Sequence, residues 1–211
     1  MARKKYGATI AKLVAGFVLL IVAVVGLTYG SMLRAMQQAE QAYTEGDTEG
    51  ALKQYESVEQ RLRSVGAIRI IPAQDRRNLI LNQARLLYAL GRYDESIERM
   101  ERENEISGVT TDGRFLLLRG EIAFRKAVNN YRDAKKKDPR VLEEALRAAE
   151  DNLRDSLRMT PDNWDAKFNF EFVNYMRNLM NQDGEGKMKI LMENVRIKEM
   201  QPKALPADQQ M

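Results

Sequence analysis

The 211-residue chain contains no cysteine and no histidine. Their absence removes the usual protein ligands of zinc and copper, the imidazole general base and the thiolate nucleophile. It also removes disulfides, a composition that suits an oxidising envelope compartment without requiring one. Carboxylates and lysines remain, so an enzyme that uses buried carboxylates stays open as a rival. We predict that the protein is not an enzyme and needs no metal or other cofactor.

Beyond its N-terminal residues, the chain has no excess of basic over acidic residues. The net charge is +4, from 34 Lys and Arg against 30 Asp and Glu. Four basic residues and no acidic one precede residue 13, so 30 residues of each sign follow. The pattern does not predict the basic face that binding to a nucleic-acid backbone requires. We therefore expect no nucleic-acid partner.

One long apolar run is present, over residues 13–30. With the short apolar stretch before it, the run reaches roughly 20 residues, which is the length that crosses a bilayer core. Residues 1–12 are basic, and positive segments stay on the cytoplasmic side. We predict a single transmembrane helix in the inner (cytoplasmic) membrane. Its N-terminus would lie in the cytoplasm and its C-terminal domain in the periplasm or otherwise outside the cytoplasm.

A cleaved signal peptide is the competing interpretation of this run. The run is long for a signal-peptide core, and the Leu-Thr-Tyr-Gly-Ser at its end lacks a small-x-small cleavage pattern. These two features favour the uncleaved anchor. Gly26 and Gly30 have the GxxxG spacing that lets membrane helices approach each other, so oligomerisation stays open.

Beyond the anchor the apolar residues follow a helical period. We predict an all-α domain over residues 31–200 and a disordered tail over residues 201–211, which contain Pro and Gln. Residues 39–55 align with residues 84–100. Both carry Ala, Tyr, Gly, a small residue and a large residue at equal spacing. The glycine would end one helix in the left-handed conformation, and the small residue would let the next helix pack closely.

The second half of the chain varies this hairpin pattern. An insertion is expected near residues 127–140, and the Asp138-Pro139 pair that ends it suits a helix cap followed by a first helical residue. A fourth unit begins at Trp164. Residues 187–200 are predicted to form a last amphipathic helix, with Met188 and Leu191 on its apolar side. Such a helix would cap the open end of a stack of repeats.

These signatures resemble tetratricopeptide repeats. The residues that carry the resemblance are Gly-Asp-x-x-x-Ala-Leu at 46–52 and Gly-Arg-Tyr-Asp-Glu-Ser-Ile at 91–97. The resemblance spans residues 31–181, apart from the insertion. It implies a TPR-like helical-hairpin solenoid with protein–protein interaction as the function. Together with the predicted anchor, the expected fold is all-α, an N-terminal transmembrane helix followed by this solenoid.

Residues 153–171 are similar to a more specific pattern, P-x-x-W-D-A-R/K-Y-N-L-E, of the MxaK-like and BatC-like family. Phe168 and Phe170 stand where Tyr and Leu are more usual. These small membrane-associated repeat proteins are encoded alongside MoxR-type AAA+ ATPases and von Willebrand factor A (VWA) domain proteins. The resemblance implies a scaffold that assists assembly or maturation of envelope proteins, with VWA-domain and MoxR-associated proteins as partners. A general periplasmic TPR adaptor in secretion or chaperone function is the alternative.

Trp164, Asn169 and Glu171 are the candidate partner-binding residues. For Trp164 the competing interpretation is packing, because it shares a helical face with Phe168 and Phe172, in the core or between repeats.

Asn169 and Glu171 are not required for helix packing. Asn169 is expected to cap or brace the adjacent Pro-containing turn. Glu171 is expected either to pair with an arginine such as Arg154 or Arg158 or to face a partner. Neither residue has a second carboxylate or base at a spacing that favours catalysis.

Overall fold

The computed structural model describes residues 2–107 and 112–183, and these residues form seven α-helices and one 3₁₀ turn, without a strand. The all-α prediction is confirmed for this part of the chain. The helices are α1 (Ala2–Thr44), α2 (Thr48–Ser64), α3 (Ala73–Ala89), α4 (Tyr93–Ser107), α5 (Gly113–Asp133), α6 (Pro139–Met159) and α7 (Trp164–Asp183), with the 3₁₀ turn at Ala67–Arg69. The expected helix at 187–200 and the expected tail at 201–211 lie outside the described residues.

The chain divides into two compact units, residues 1–71 and 72–211. In the first unit, α1 is one uninterrupted helix of 43 residues, roughly 64 Å long. Its segment from Lys12 onward is long and apolar enough to cross a membrane, although a signal sequence passes the same test. Further along α1, Met32 and Ala39 are buried in the unit with Leu52 and Tyr55 of α2. The apolar run therefore continues directly into the first helical hairpin.

Glycine ends the first helix of two hairpins, as the aligned segments predict. Gly46 and Gly91 have φ angles of 93° and 75°, the left-handed region that residues with a Cβ rarely adopt. In each turn the glycine N–H donates to a tyrosine carbonyl three residues earlier, at 3.0 Å for Gly46 and 2.9 Å for Gly91. Each loop is three residues long, 45–47 and 90–92, so each following helix returns along its predecessor.

The second unit is built on α5, which contributes to two apolar clusters. One cluster joins it to α3 and α4, through residues such as Leu81 and Phe115, and the other joins it to α6 and α7, through residues such as Leu117 and Val173. Each of two buried serines forms a hydrogen bond between the two helices of one hairpin. Ser96 donates to the carbonyl of Ala84 and Ser156 to the carbonyl of Gly113, both at 2.7 Å.

The expected insertion at 127–140 does not interrupt the third hairpin but lengthens it. Helix α5 continues to Asp133 and α6 already begins at Pro139, so each has 21 residues. The physical reason is that apolar positions persist: Ala127 lies in the same cluster as Leu142 and Leu146. The predicted restart is confirmed, since the side chain of Asp138 accepts the backbone N–H of Arg140 and Pro139 occupies the first turn.

Candidate functional site

The turn before α7 sets where that helix begins. The Asn163 Oδ1 atom accepts the backbone N–H groups of Asp165 at 3.0 Å and Ala166 at 3.1 Å, which is an N-cap. The expectation that Asn169 caps or braces this turn is therefore wrong. Asn163 lies immediately before the first helical residue, where its short side chain reaches the unpaired N–H groups. Asn169 lies more than one turn further along.

Helix α7 has two opposite faces, one buried and one exposed. The buried face carries Ala166, Asn169, Val173 and Met176, spaced by three or four residues. The exposed face carries Trp164, Phe168, Glu171 and Tyr175, with the same spacing. We call these four residues the aromatic stripe.

The aromatic members of the stripe are exposed to different degrees: Trp164 by 78%, Phe168 by 51% and Tyr175 by 53%. The expectation that Trp164 and Phe168 pack in the core is therefore wrong, as far as the described residues are concerned. The ammonium group of Lys167 lies 5.0 Å from the centre of the Trp164 ring, a cation–π contact at the surface.

Phe172 links the stripe to the interior. Its ring stacks on Phe168 with centroids 6.4 Å apart, and it meets Phe124 of α5 edge-on at 5.7 Å. The stripe is thus supported from beneath by packed aromatic rings. Supported rings are immobilised at a smaller entropic cost when a second surface covers them.

Glu171 is exposed and forms no hydrogen bond or ion pair with a described residue. The two expected arginine partners are engaged elsewhere. Arg154 pairs with Glu150 and Asp151, and Arg158 pairs with Asp155 at 2.7 Å. The carboxylate of Glu171 is therefore the charged group in the middle of an aromatic surface, available to a cation on whatever covers it.

Asn169 faces the other way, into the interior, where it is 3% exposed. Its Nδ2 atom donates to the Oε1 atom of Glu121 in α5 at 2.8 Å. In this structure Asn169 is therefore not available at the surface, and its position supports a role in joining α5 to α7. Of the three candidate residues, only Trp164 and Glu171 lie together on the exposed face.

Glu121 is a functional candidate that the sequence reasoning missed. It is 1% exposed, and among the described residues its Oε2 atom has no hydrogen-bond partner. Burial raises the pKa of Glu121 to about 7, although Arg85, Asn169 and Arg125 act in the opposite direction. A signal in the sequence could have revealed it. Glu121 lies four residues after Leu117, so it falls on the apolar face of α5, where an acidic residue is unusual.

The remaining charge clusters of this unit hold helices in place. Burial alone would raise the pKa of Asp112, but the hydrogen bonds and charge of Arg114 outweigh it and hold the pKa below its usual range. The same Arg114 donates to Asn78 of α3 at 2.8 Å, so the start of α5 is tied to α3. Likewise Glu150 of α6 accepts from Arg177 of α7.

Two features of this unit bear on what its side chains could do chemically. Within residues 2–107 and 112–183, no group of three or more acidic side chains is placed to hold a metal ion. Glu121 has a perturbed pKa but is closed off from solvent. The accessible feature is the aromatic stripe, with one carboxylate at its centre.

Comparison of the chain with models of protein families, with curated proteins and with solved structures finds no match.

Proposed function

We propose that this protein is a membrane-anchored scaffold whose hairpins stack in the manner of tetratricopeptide repeats and which binds another envelope protein through α7. Two features of the described residues support the proposal. One is the uninterrupted α1, which would carry the membrane anchor into the first hairpin. The other is the aromatic stripe, which presents a surface for a protein partner.

The exposure of Trp164 is the single observation that carries the proposal. A tryptophan side chain buries roughly 150–250 Å² when covered, which at about 25 cal/mol per Å² is an upper bound of several kcal/mol. Tryptophan is also among the residues most enriched in the energetic centres of protein interfaces. In α3–α6 the described large apolar side chains that are exposed are only Val141 and Met159, so the aromatic exposure is concentrated on α7.

The proposed setting is the inner membrane, with a cytoplasmic N-terminus and the helical domain in the periplasm or otherwise outside the cytoplasm. The proposed partners are VWA-domain and MoxR-associated proteins, for which the scaffold would act as an accessory factor in assembly or maturation. Support for these partners comes from the resemblance of residues 153–171. A general periplasmic adaptor for secretion or chaperone function is the alternative.

Affinity purification of the full chain from its native membrane tests the partner. Wild type is compared with Trp164→Ala and with Val141→Ala, which shortens an exposed apolar side chain on α6 and serves as the matched control. Truncation of a central interface tryptophan costs about 2 kcal/mol or more, which weakens binding about 30-fold. We expect a VWA-domain protein to be recovered with wild type and Val141→Ala and to be lost with Trp164→Ala.

Other outcomes separate the hypotheses. Loss of a protein without a VWA domain, again only with Trp164→Ala, would support the general adaptor. Equal recovery of every protein with all three chains would refute binding through α7. Melting curves for the three chains check that the losses do not come from unfolding.

Protease accessibility tests the topology. Protease added to spheroplasts should digest the helical domain while the membrane stays intact. Digestion only after lysis would place the domain in the cytoplasm and contradict the proposed orientation.

A further inference from the structure

In the first compact unit, α2 runs back along α1 towards the apolar run. The two helices pack against each other and are joined by the three-residue loop 45–47. Ser64, the last residue of α2, comes 16 positions after the first residue of that helix, and Thr28 comes 16 positions before the last residue of α1. At 1.5 Å per residue, both lie roughly 24 Å from the loop. The end of α2 therefore reaches the level of Thr28.

The burial of α1 changes at this same level. Residues 12–28 are all exposed, whereas Tyr29 is partly buried and Met32 is buried. On α2, Leu62 is still buried two residues before the helix ends. The apolar run ends at residue 30, so contact between the two helices begins where the run stops. With the run across a bilayer, the end of α2 lies at the surface of that bilayer.

The chain that follows α2 exposes apolar side chains at this level. Val65 is 68% exposed and Ile70 is 78% exposed. They lie on either side of the 3₁₀ turn at Ala67–Arg69, which packs against α2. Over residues 31–71 the other exposed large apolar side chain is that of Leu33, about one turn beyond the run. The exposed apolar surface of this hairpin is therefore confined to the end nearest the run.

Charge is also divided along this hairpin. Residues 40–52, at the end that carries the loop, include four acidic residues and no basic one. Residues 31–39 and 60–71, at the opposite end, include no acidic residue and four basic ones: Arg34, Arg61, Arg63 and Arg69. Positive charge therefore lies at the level of the bilayer surface and negative charge lies away from it. Anionic lipid headgroups attract the first end and repel the second.

We propose that residues 65–71, the 65–71 turn, make a second contact with the bilayer that α1 crosses. Val65 and Ile70 enter the headgroup region, and Arg61 and Arg69 bind the phosphate groups of anionic lipids. Apolar side chains beside basic ones are the composition that binds at a bilayer surface. The proposal rests on the proposed function, because it requires α1 to be the anchor. Attachment at two points would restrict tilting and rotation of the first hairpin on the membrane.

Spin labelling of the full chain tests this contact, because the sequence contains no cysteine that would interfere. Val65→Cys and Ile70→Cys each carry a nitroxide, in vesicles of phosphatidylcholine and phosphatidylglycerol. Collisions with oxygen, which concentrates among acyl chains, are compared with collisions with a nickel chelate, which stays in water. Val22→Cys in the apolar run and Thr44→Cys near the loop are the lipid and water controls. All four positions are exposed, so the labels are not expected to disturb folding.

We expect the ratio of oxygen to nickel collisions at Val65 and Ile70 to lie between those at Thr44 and Val22, at an immersion of roughly 5–10 Å. Ratios equal to that at Thr44 would place the turn in water and overturn the proposal. Protection from both reagents would show that protein covers the turn, which would also overturn it. A Val22 label open to the nickel chelate would refute the anchor, and with it both the proposed function and this contact.

Arginine substitutions test the contact with lipid phosphate. Arg63 pairs with Glu59 at 2.6 Å, so Arg61→Gln and Arg69→Gln are the informative changes. Each should lower the ratio of immersed to water-exposed Val65 label about fivefold, which is the effect of one basic residue near an anionic surface. In vesicles of phosphatidylcholine alone, the variants and wild type should give the same ratio.

Lys53→Gln is the matched control, because Lys53 is an exposed basic residue of the same helix. It lies roughly 16 Å further from the bilayer surface than Ser64, beyond the screening length of about 8–10 Å, so its loss should have little effect. An equal effect of Lys53→Gln, or none from either arginine, would overturn the assignment of the arginines to lipid phosphate. Neither measurement involves a partner protein, so this contact can fail while Trp164-dependent binding succeeds.

Discussion

Replacement of buried Glu121 by Gln should change how the stability of this protein depends on pH. Burial raises the pKa of Glu121 from 4.5 to about 7. The folded state therefore holds the proton more tightly than the unfolded state does. Between pH 4.5 and 7 the unfolded chain binds fewer protons than the folded one, so the free energy of unfolding must fall as the pH rises.

The size of this effect follows from the pKa difference. One pKa unit corresponds to 1.36 kcal/mol, so the shift of Glu121 corresponds to roughly 3 kcal/mol between acid and neutral pH. Gln cannot ionise, but its carbonyl can still accept the hydrogen bond from Asn169. Its amide would stand where Oε2 has no partner among the described residues, which adds a cost that does not change with pH.

The assay is urea unfolding of the full chain in detergent, followed by circular dichroism from pH 4.5 to 8. The quantity to compare is the free energy of unfolding of Glu121→Gln minus that of wild type. This difference should rise by roughly 3 kcal/mol between pH 4.5 and 7 and then level off. Taking the difference removes groups common to both chains, such as Asp112, whose lowered pKa has the opposite sign of effect.

Glu171→Gln is the matched control, because it makes the same chemical change at an exposed site. A rise with pH for Glu121→Gln that exceeds the change found for Glu171→Gln would assign the effect to the buried site. A flat difference for Glu121→Gln would refute the reasoning. It would mean that Arg85 and Arg125 keep the buried carboxylate ionised despite its burial.

Three further substitutions test the packing and the caps, each by thermal or urea unfolding of the full chain. Gly120→Ala should destabilise by about 1–3 kcal/mol, because a Cβ there would lie 2.6 Å from Leu153 Cγ; unchanged stability would mean that α5 and α6 are further apart. Ser156→Ala should cost about 1 kcal/mol by removing a buried hydrogen bond to α5, and no loss would argue against that bond. Asn163→Ala should cost about 1 kcal/mol through loss of the α7 cap, whereas Asn178→Ala, at an exposed position on the same helix, should cost less.

Local signals predicted much of the secondary structure correctly. Gly46 and Gly91 end helices because only glycine adopts their backbone conformation without strain. Asp138 and Pro139 start α6 because one accepts a free backbone N–H and the other needs none. Such signals act within a few residues, so they can be recognised in the sequence before the fold is known.

The segment expected as an insertion, residues 127–140, was not recognised from the sequence as the end of α5 and the start of α6. Residues 127–133 align with no repeat, but they continue α5 because Ala127 and its neighbours still meet α6. A repeat pattern compares equal lengths, whereas a helix continues for as long as its apolar face has a partner.

The sequence by itself determined helices throughout the described residues, a run long enough for a membrane, and helix boundaries marked by glycine, aspartate and proline. Only the tertiary structure decided which face of each helix is covered. The helical period put Trp164 and Phe168 on one side of α7, but their exposure depends on α5 and α6 packing against the other side. In the same way Glu121 resembles an ordinary surface acid until Asn169, from a helix 48 residues away in sequence, comes to lie beside it. Burial is a property of neighbours that are distant in the chain, so it is not encoded in any short stretch of residues.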